Sequence, residues 1–384
     1  MIEAWLIEGI KGVGRFFLNP LLYWAILLVA IASYRRMKQE RLQFGYKVFD
    51  MFSEWSHTFW FSIGFGVFIT LITVGIGIVL PIEAIMLLSI VVILFSWRFS
   101  MLSASYTIGI TYVILMFAPY VLGSRPWLTQ VNFEGLAILL GLFLIAEAFL
   151  LYRMKHNDTF PKLTKGDRGL WIGEHHIKRL AVIPFFTFVP SGLITSFAPF
   201  WPYFSMGGES YSLILIPFLV GFDYVAKGFA PKKEVGILAK ANFILALVVT
   251  LIASMSIFVP WLSFVAVIIA ILGHEWVKYR QRIRNEEQHP YFHPTDNGLK
   301  ILGIIPNTPA DRLDFQIGET IKKVNGYEVS TVEDFYYALQ HNGSFFKIDV
   351  LDENGEIRFI QSAFYEGDHH QLGLIFTAPP YHQL

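Results

Sequence analysis

The sequence predicts an α-helical polytopic membrane domain of about eight or nine transmembrane helices, followed by a small α+β domain. Three observations carry this. Of 384 residues, 54% are hydrophobic and only 16% charged, whereas an ordinary soluble domain carries roughly a quarter charged residues. The apolar residues come in runs near the ~20 that a helix needs to cross hydrocarbon. Near Gln288 that pattern gives way to strand-like alternation. A soluble enzyme and a secreted module are excluded. The 30 basic and 30 acidic residues cancel, so whole-chain charge points to no nucleic-acid partner. Without cysteine there are no disulfides, thiolate metal sites or cysteine nucleophiles.

In chain order the apolar segments are Phe16–Tyr34, His57–Leu80, Pro81–Trp97, Ser103–Leu122, Gly135–Tyr152, Leu180–Phe200, Tyr211–Ala226, Ala239–Phe258 and Trp261–Trp276. Each reads as a helix, because an unpaired backbone group is too costly in lipid. The third and seventh are short. Glycine and proline within them (Gly64, Gly66, Pro184, Pro190, Pro217) suggest kinks or close helix contacts. Before the first span, Ile2, Trp5, Leu6 and Ile10 recur at helical spacing. Residues 1–15 thus suit a helix lying in the interface, or a simple extension of the first span. Ala30-Ile31-Ala32 resembles a signal-peptidase site, but Arg35-Arg36 directly after it is a stop-transfer flank. The membrane domain is expected over 16–276, a basic linker over 277–296, and the second domain over 297–384.

Loop charge orients the spans. If the loops after the odd-numbered segments face the cytoplasm, they hold 21 Lys and Arg, against Lys11, Arg15 and Arg125 opposite. That bias places the chain after Trp276 in the cytoplasm. From His289 onward 13 acidic residues outnumber six basic ones. The basic loops suit contact with anionic membrane lipid. The acidic domain is expected to be held off the bilayer, free for a protein partner.

Within that domain Lys300–Ile305 reads as a strand and Pro306-Asn-Thr-Pro-Ala310 opens a short helix. Gly318-Glu-Thr-Ile-Lys-Lys-Val-Asn325-Gly326 is a turn, a strand and a tight hairpin, with Asn-Gly suited to positive backbone angles. Thr331 and Asp334 cap a helix running to about His341. Phe345–Leu351, the Asn354-Gly355 turn and Ile357–Ser362 form a second hairpin, and Gln371–Phe376 closes the domain as a strand. This order resembles a bacterial PDZ domain over about residues 297–376. The resemblance implies that a ligand chain end adds as a strand beside a glycine-containing loop whose N–H groups hold its carboxylate. The loop is then Leu372-Gly373-Leu374, continuing through Ile375 and Phe376. Phe335 and Leu339 form the opposite wall. The alternative is that these residues simply fill the small core.

Catalytic chemistry finds little support. An intramembrane zinc protease needs two histidines four residues apart beside a glutamate. The nearest match, His274-Glu275-Trp276-Val277-Lys278, places an ammonium at the second ligand position. His274 therefore reads as an interfacial residue and Glu174-His175-His176 as a solvated loop. Neither a nucleophile-elbow serine nor a phosphate-binding glycine loop occurs. No enzyme activity, metal or cofactor is expected. Carboxylates inside spans are functional candidates by default. Asp223 has Lys227 at i+4 for a local pair, whereas Glu147 has no partner in register. A transporter would use more such groups, and often repeated halves.

The remaining description is a membrane platform carrying a peptide-binding domain. In layout the chain resembles the MinJ family of division-site determinants. So does the run Phe16-Phe17-Leu18-Asn19-Pro20-Leu21-Leu22-Tyr23, with Tyr34-Arg35-Arg36-Met37-Lys38 and Val48-Phe49-Asp50 after it. That resemblance implies a non-enzymatic scaffold enriched at septum and poles, bridging a DivIVA-like protein to a MinD-like protein and so to MinC. Contacts with other division proteins are implied too. The oligomeric state is not legible. The alternatives are an adaptor related to PDZ-bearing intramembrane proteases but lacking their zinc site, or a transporter.

Overall fold

The computed structural model describes every residue except 1, 124–126, 129–130, 156, 167–168, 197–200, 204–209, 296–297, 341–344, 353, 364–371 and 382–384. Arg125, Phe200, His341 and Gln371, named above, and Arg168, one of the 21 basic loop residues, lie outside the described residues. The chain begins with α1 (Ile2–Leu18) and α2 (Pro20–Phe44), which meet at a 40° bend. The bend falls at Asn19, whose side chain accepts the Leu21 N–H at 3.0 Å, with Pro20 in the first turn. This is a strong helix start, since Asn satisfies an orphan donor and proline has none to lose. Gly45 ends α2 at φ 85°. Next come α3 (Phe59–Ile76), the 14-residue α4 (Ile82–Phe95), α5 (Ala104–Leu122) and α6 (Phe133–Tyr152).

The largest departure from expectation follows. Leu180–Phe200 and Tyr211–Ala226 are not spanning helices. Their described residues belong to two long strands, β2 (Trp171–Thr195) and β3 (Ser210–Ala226), with the short β1 (Phe160–Lys165) beside β2. The β2–β3 register runs antiparallel from His175↔Ala226 to Thr195↔Ser210. A strand buried on both faces has the same uninterrupted apolar sequence as a buried helix, so periodicity cannot separate them. Two helices then return, α7 (Pro231–Met255) and α8 (Leu262–Glu287). Five helices (α3, α5, α6, α7 and α8) are long and apolar enough to cross a membrane, and α1 with α2 makes a sixth if the bent pair is one span. Eight or nine is therefore corrected to five or six among the described residues.

A sheet among apolar helices must have its edges satisfied. Helix and loop groups do this. Thr73 Oγ1 donates to Phe186 O at 2.6 Å, while Thr70 Oγ1 accepts from Phe186 N at 3.0 Å. Leu80 N donates to Phe188 O, and Phe188 N to Ile78 O. On the β3 side Gly221 N reaches Leu102 O, and the side-chain amides of Gln281 and Asn285 both donate to Val225 O. At the far end Glu8 and Arg15 of α1 hold Ser212 of β3. A hairpin, like a helix pair, returns the chain to the side it left. Losing those two helices alone therefore leaves the charge bias as it was, whereas leaving out the 14-residue α4 as a span would put residues 153–179 opposite the loop after α2.

The C-terminal domain follows expectation closely. Its elements are β4 (Leu299–Ile304), a one-turn α9 (Pro309–Arg312), β5 (Thr320–Val324), β6 (Tyr327–Glu328), α10 (Val332–Gln340), β7 (Phe345–Leu351), β8 (Ile357–Ala363) and β9 (Leu374–Phe376). They form a sheet of order β8-β7-β5-β4-β9, with β6 beside β5. Asn325 and Gly326 take φ 53° and 88° in the tight hairpin. Thr331 Oγ1 accepts the Asp334 N–H and Asp334 returns the bond to Thr331 N, both at 3.1 Å. The Thr331 hydroxyl and the backbone N–H groups hold the Asp334 carboxyl below the usual carboxylate range.

The segment expected as a linker is helical as far as Glu287, and Phe292 is fully buried. Rather than standing free, the domain is seated on the β1–β2 strands. Gly173 N donates to Phe292 O at 2.8 Å, and His175 Nε2 lies 2.7 Å from Leu302 O. A Cβ on Gly173 would lie 2.8 Å from Phe292 Cβ and would overlap the Leu302 side chain. Gly173→Val is therefore expected to unseat the domain. Limited trypsin digestion should then cut faster around Arg282 and Arg284 while the helical core stays intact. Gly166→Ala, where a Cβ meets only ordinary contacts at 3.5 Å, should digest like wild type. An unchanged Gly173→Val digest would show that the seat is not held here.

Candidate functional site

The seven residues expected to bind a peptide fall together at one edge of the C-terminal sheet. The strand β9 pairs with β4 on one side, and among the described residues no strand pairs with its other side. Gly373 O accepts from Ile305 N, and Thr377 N donates to Lys300 O. Backbone groups alternate along a strand, so those of Leu374 and Phe376 face the open edge, where the Phe376 carbonyl already accepts from Ala378 N at 3.0 Å. An extended chain could add there. Gly373 takes φ 90° and packs against Thr308, whose side chain a Cβ would overlap. Only glycine suits that turn.

The side chains tell a second story. Leu372, Leu374, Ile375, Phe376, Phe335 and Leu339 are all buried, at most 6% exposed. The rings of Phe335 and Phe376 sit 4.9 Å apart, joining α10 directly to β9. The same residues thus fill the core and line the edge. What the edge leaves open is backbone, and a side chain entering between β9 and α10 would require α10 to give way. Substituting Gly373 is a poor probe of binding, because any side chain there collides with Thr308.

In the helical layer the expectations for the ionisable residues are revised. His274 is not interfacial. It is 1% exposed, with Nδ1 3.4 Å from Ser103 Oγ and 4.0 Å from Glu147 Oε1. Glu147 is fully buried, and its partner is non-local: Ser103 Oγ, at the start of α5, donates to Oε2 at 2.7 Å. Lys278 Nζ reaches Tyr106 OH at 3.2 Å, and that hydroxyl donates to Glu275. Among the described residues no group of three His, Cys, Asp or Glu side chains is placed to hold a metal.

Glu174-His175-His176 is strand, not solvated loop. Its side chains alternate: His175 is buried against Thr159 and Leu302, while His176 Nδ1 lies 2.9 Å from Asp223. Asp223 is not paired with Lys227, because residues four apart on a strand are about 13 Å apart.

Sequence spacing also missed a network at the end of α2. Arg36 binds Glu40 at 2.6 Å and Glu54 at 3.0 Å, and donates to the Asp50 carbonyl at 2.7 Å. The one signal that could have pointed to it is the i,i+4 spacing of Arg36 and Glu40.

No family model and no solved structure matches the chain. Curated relatives do. The chain is 36% identical to the cell division topological determinant MinJ of Bacillus subtilis, over 98% of this chain and 97% of that one. It is 22% identical to probable cell division topological determinants MinJ of Lacticaseibacillus paracasei and Lacticaseibacillus casei, over 93% of this chain and 96% of each of theirs.

Proposed function

The chain belongs to the MinJ family of cell division topological determinants, and from that premise we propose that it is a non-enzymatic, multi-pass membrane scaffold for division-site placement. Its C-terminal domain acts as a cytoplasmic PDZ-type module, taking a partner's chain end at the β9 edge beside Gly373. By joining a DivIVA-like protein at septa and poles to a MinD-like protein, and so to MinC, it concentrates the division inhibitor in one membrane zone. Co-localisation of this kind raises effective concentration without any new reaction. The observation that carries the reading is the unpaired outer edge of β9, on a chain whose other half holds five helices suited to a membrane.

A fluorescent fusion of the full chain in a rod-shaped Gram-positive host tests the placement. Enrichment at septa and poles is expected, and it should be lost when the DivIVA-like protein is deleted. Uniform membrane signal in both strains would sink the scaffold reading. The groove is tested from the partner's side. Removing the last four residues of each candidate partner leaves this chain untouched, and capture of the partner that docks at β9 should drop to background. Undiminished capture of every truncated partner would place the contact elsewhere.

A further inference from the structure

We infer that the cavity between α2, the end of α4 and the β1–β2 strands is a binding site for the headgroup of an anionic phospholipid, its acyl chains lying along the α2–α4 seam. This rests on the membrane placement proposed above. The cavity holds about 610 Å³, within the roughly 300–1,000 Å³ of ordinary ligand pockets. Its walls divide by chemistry. Toward the spans it is lined by Leu28 and Ile31 of α2 and Ile93 and Leu94 of α4; toward the cytoplasmic loops, by Arg35, Arg98 and Lys178. The apolar-to-basic transitions of two separate helices therefore fall at one level, where headgroups meet hydrocarbon. Trp24 Nε1 donates to Ser96 Oγ at 2.8 Å, tying the two helices together at this level. Trp97, 80% exposed, projects from the end of α4, as aromatic residues do at a membrane interface.

The charge balance says which headgroup fits. The cavity's carboxylates are already used: Glu40 by Arg36, and Asp223 by His176. Lys162 is likewise held by Glu174 at 3.1 Å. Three cations are left over. Among the described residues Arg35, Arg98 and Lys178 have no carboxylate within ion-pair distance. Arg35 lies over the Trp97 ring, and Lys178 over the Phe99 ring at 4.1 Å. Arg35 and Arg98 are exposed, while Lys178 is half-buried without a counter-ion, which is costly, and a phosphodiester entering from the bilayer would supply one. A zwitterionic headgroup brings its own ammonium into a cationic cavity and gains less. Free phosphate leaves the apolar wall uncovered.

The test uses the full chain purified in a neutral detergent, with lipid adducts counted by native mass spectrometry. Phosphatidylglycerol is expected to bind about tenfold more tightly than phosphatidylcholine. The variant R35Q/R98Q/K178Q should lose that preference. The control K232Q/R280Q/R282Q, which removes equal charge from exposed positions outside the cavity, should keep it. Equal losses in both variants, or no preference in wild type, would overturn the site. So would displacement of the lipid by inorganic phosphate at comparable concentration, which would make it a free-phosphate pocket. Misfolding of the variant is bypassed by a wild-type measurement. Phosphatidylglycerol with a photoactivatable acyl chain should label peptides around Ile31 and Leu94, and even labelling over all spans would overturn the inference. Carbonate extraction separates the two readings: a chain that washes off membranes defeats the membrane placement itself. One that stays, yet shows no anionic preference, defeats only the lipid site.

Discussion

Arg36→Ala is expected to destabilise the folded chain by about 3–5 kcal/mol, the usual cost of stranding buried charge. The arginine sits between two carboxylates that hardly see water, Glu40 at 3% exposure and Glu54 at 0%. It also spans a chain break in space. From α2 it donates to the carbonyls of Phe49 and Asp50, and its guanidinium lies over the Phe160 ring at 4.7 Å. Glu40 in turn accepts from the backbone N–H of Val48 and Phe49, and Ser33 donates to Glu54. The fork of the guanidinium lets one side chain serve two carboxylates and two carbonyls, which an ammonium cannot do with the same geometry. Arg36→Lys should therefore fall between wild type and Arg36→Ala. Melting midpoints of the three proteins in the same detergent check this. Coincident midpoints for wild type and Arg36→Ala would show that the network is incidental.

Arg36 also explains part of what the sequence carried. Tyr34-Arg35-Arg36-Met37-Lys38 and Val48-Phe49-Asp50 stand apart in the chain, yet Arg36 bonds the carbonyls of Phe49 and Asp50. As a sequence pattern they were two unrelated marks; in space they are one joint. The C-terminal domain was legible element by element because its signals are local: Asn325-Gly326 turns, Thr331 caps, and short alternating strands follow. The helical spans were legible from length and apolarity. The β2–β3 hairpin was not, and its reason is physical. Buried Ala181, Ile183 and Phe185 alternate with half-buried Val182, Pro184 and Phe186, so both faces carry apolar residues and the two-residue period is erased from the sequence. The usable signal was composition. Pro184, Pro190 and Pro217 stand amid Val, Ile, Phe and Thr, a mixture that disfavours a helix and suits a strand whose edge is covered. The Glu147–Ser103–His274 contacts were illegible for another reason: the partners lie on three helices, 44 and 171 residues apart. The β9 edge lay between these cases. Its glycine turn was visible, but that Phe335 and Phe376 meet edge to face within the core was not.

Gly66→Leu is the second large effect, and it tests the hairpin directly. The helix α3 lies along β2, with Thr70 and Thr73 bonded to the Phe186 backbone. Gly66, one turn earlier on the same face, is buried, and a Cβ there would fall on the carbonyl oxygen of Pro184. Backbone cannot rotate away as a side chain can. The helix would have to lift from the strand, breaking the hydrogen bonds that seal the sheet edge and exposing those groups where water cannot replace them. Overpacking alone costs about 1–3 kcal/mol, and each lost edge bond adds about 1–3 kcal/mol for a stranded buried group. Folded protein should thus fall to a small fraction of the wild-type yield in detergent-solubilised membranes. Gly64→Leu supplies the contrast. It lies two residues away on the same helix, with nothing within 4 Å of its Cβ, and leucine there faces outward. Were the segment Leu180–Phe200 a lipid-facing helix, the two glycines would have no reason to differ so sharply. Matched yields and matched melting for the two variants would therefore contradict the strand placement, whereas loss confined to Gly66→Leu is the outcome the hairpin requires.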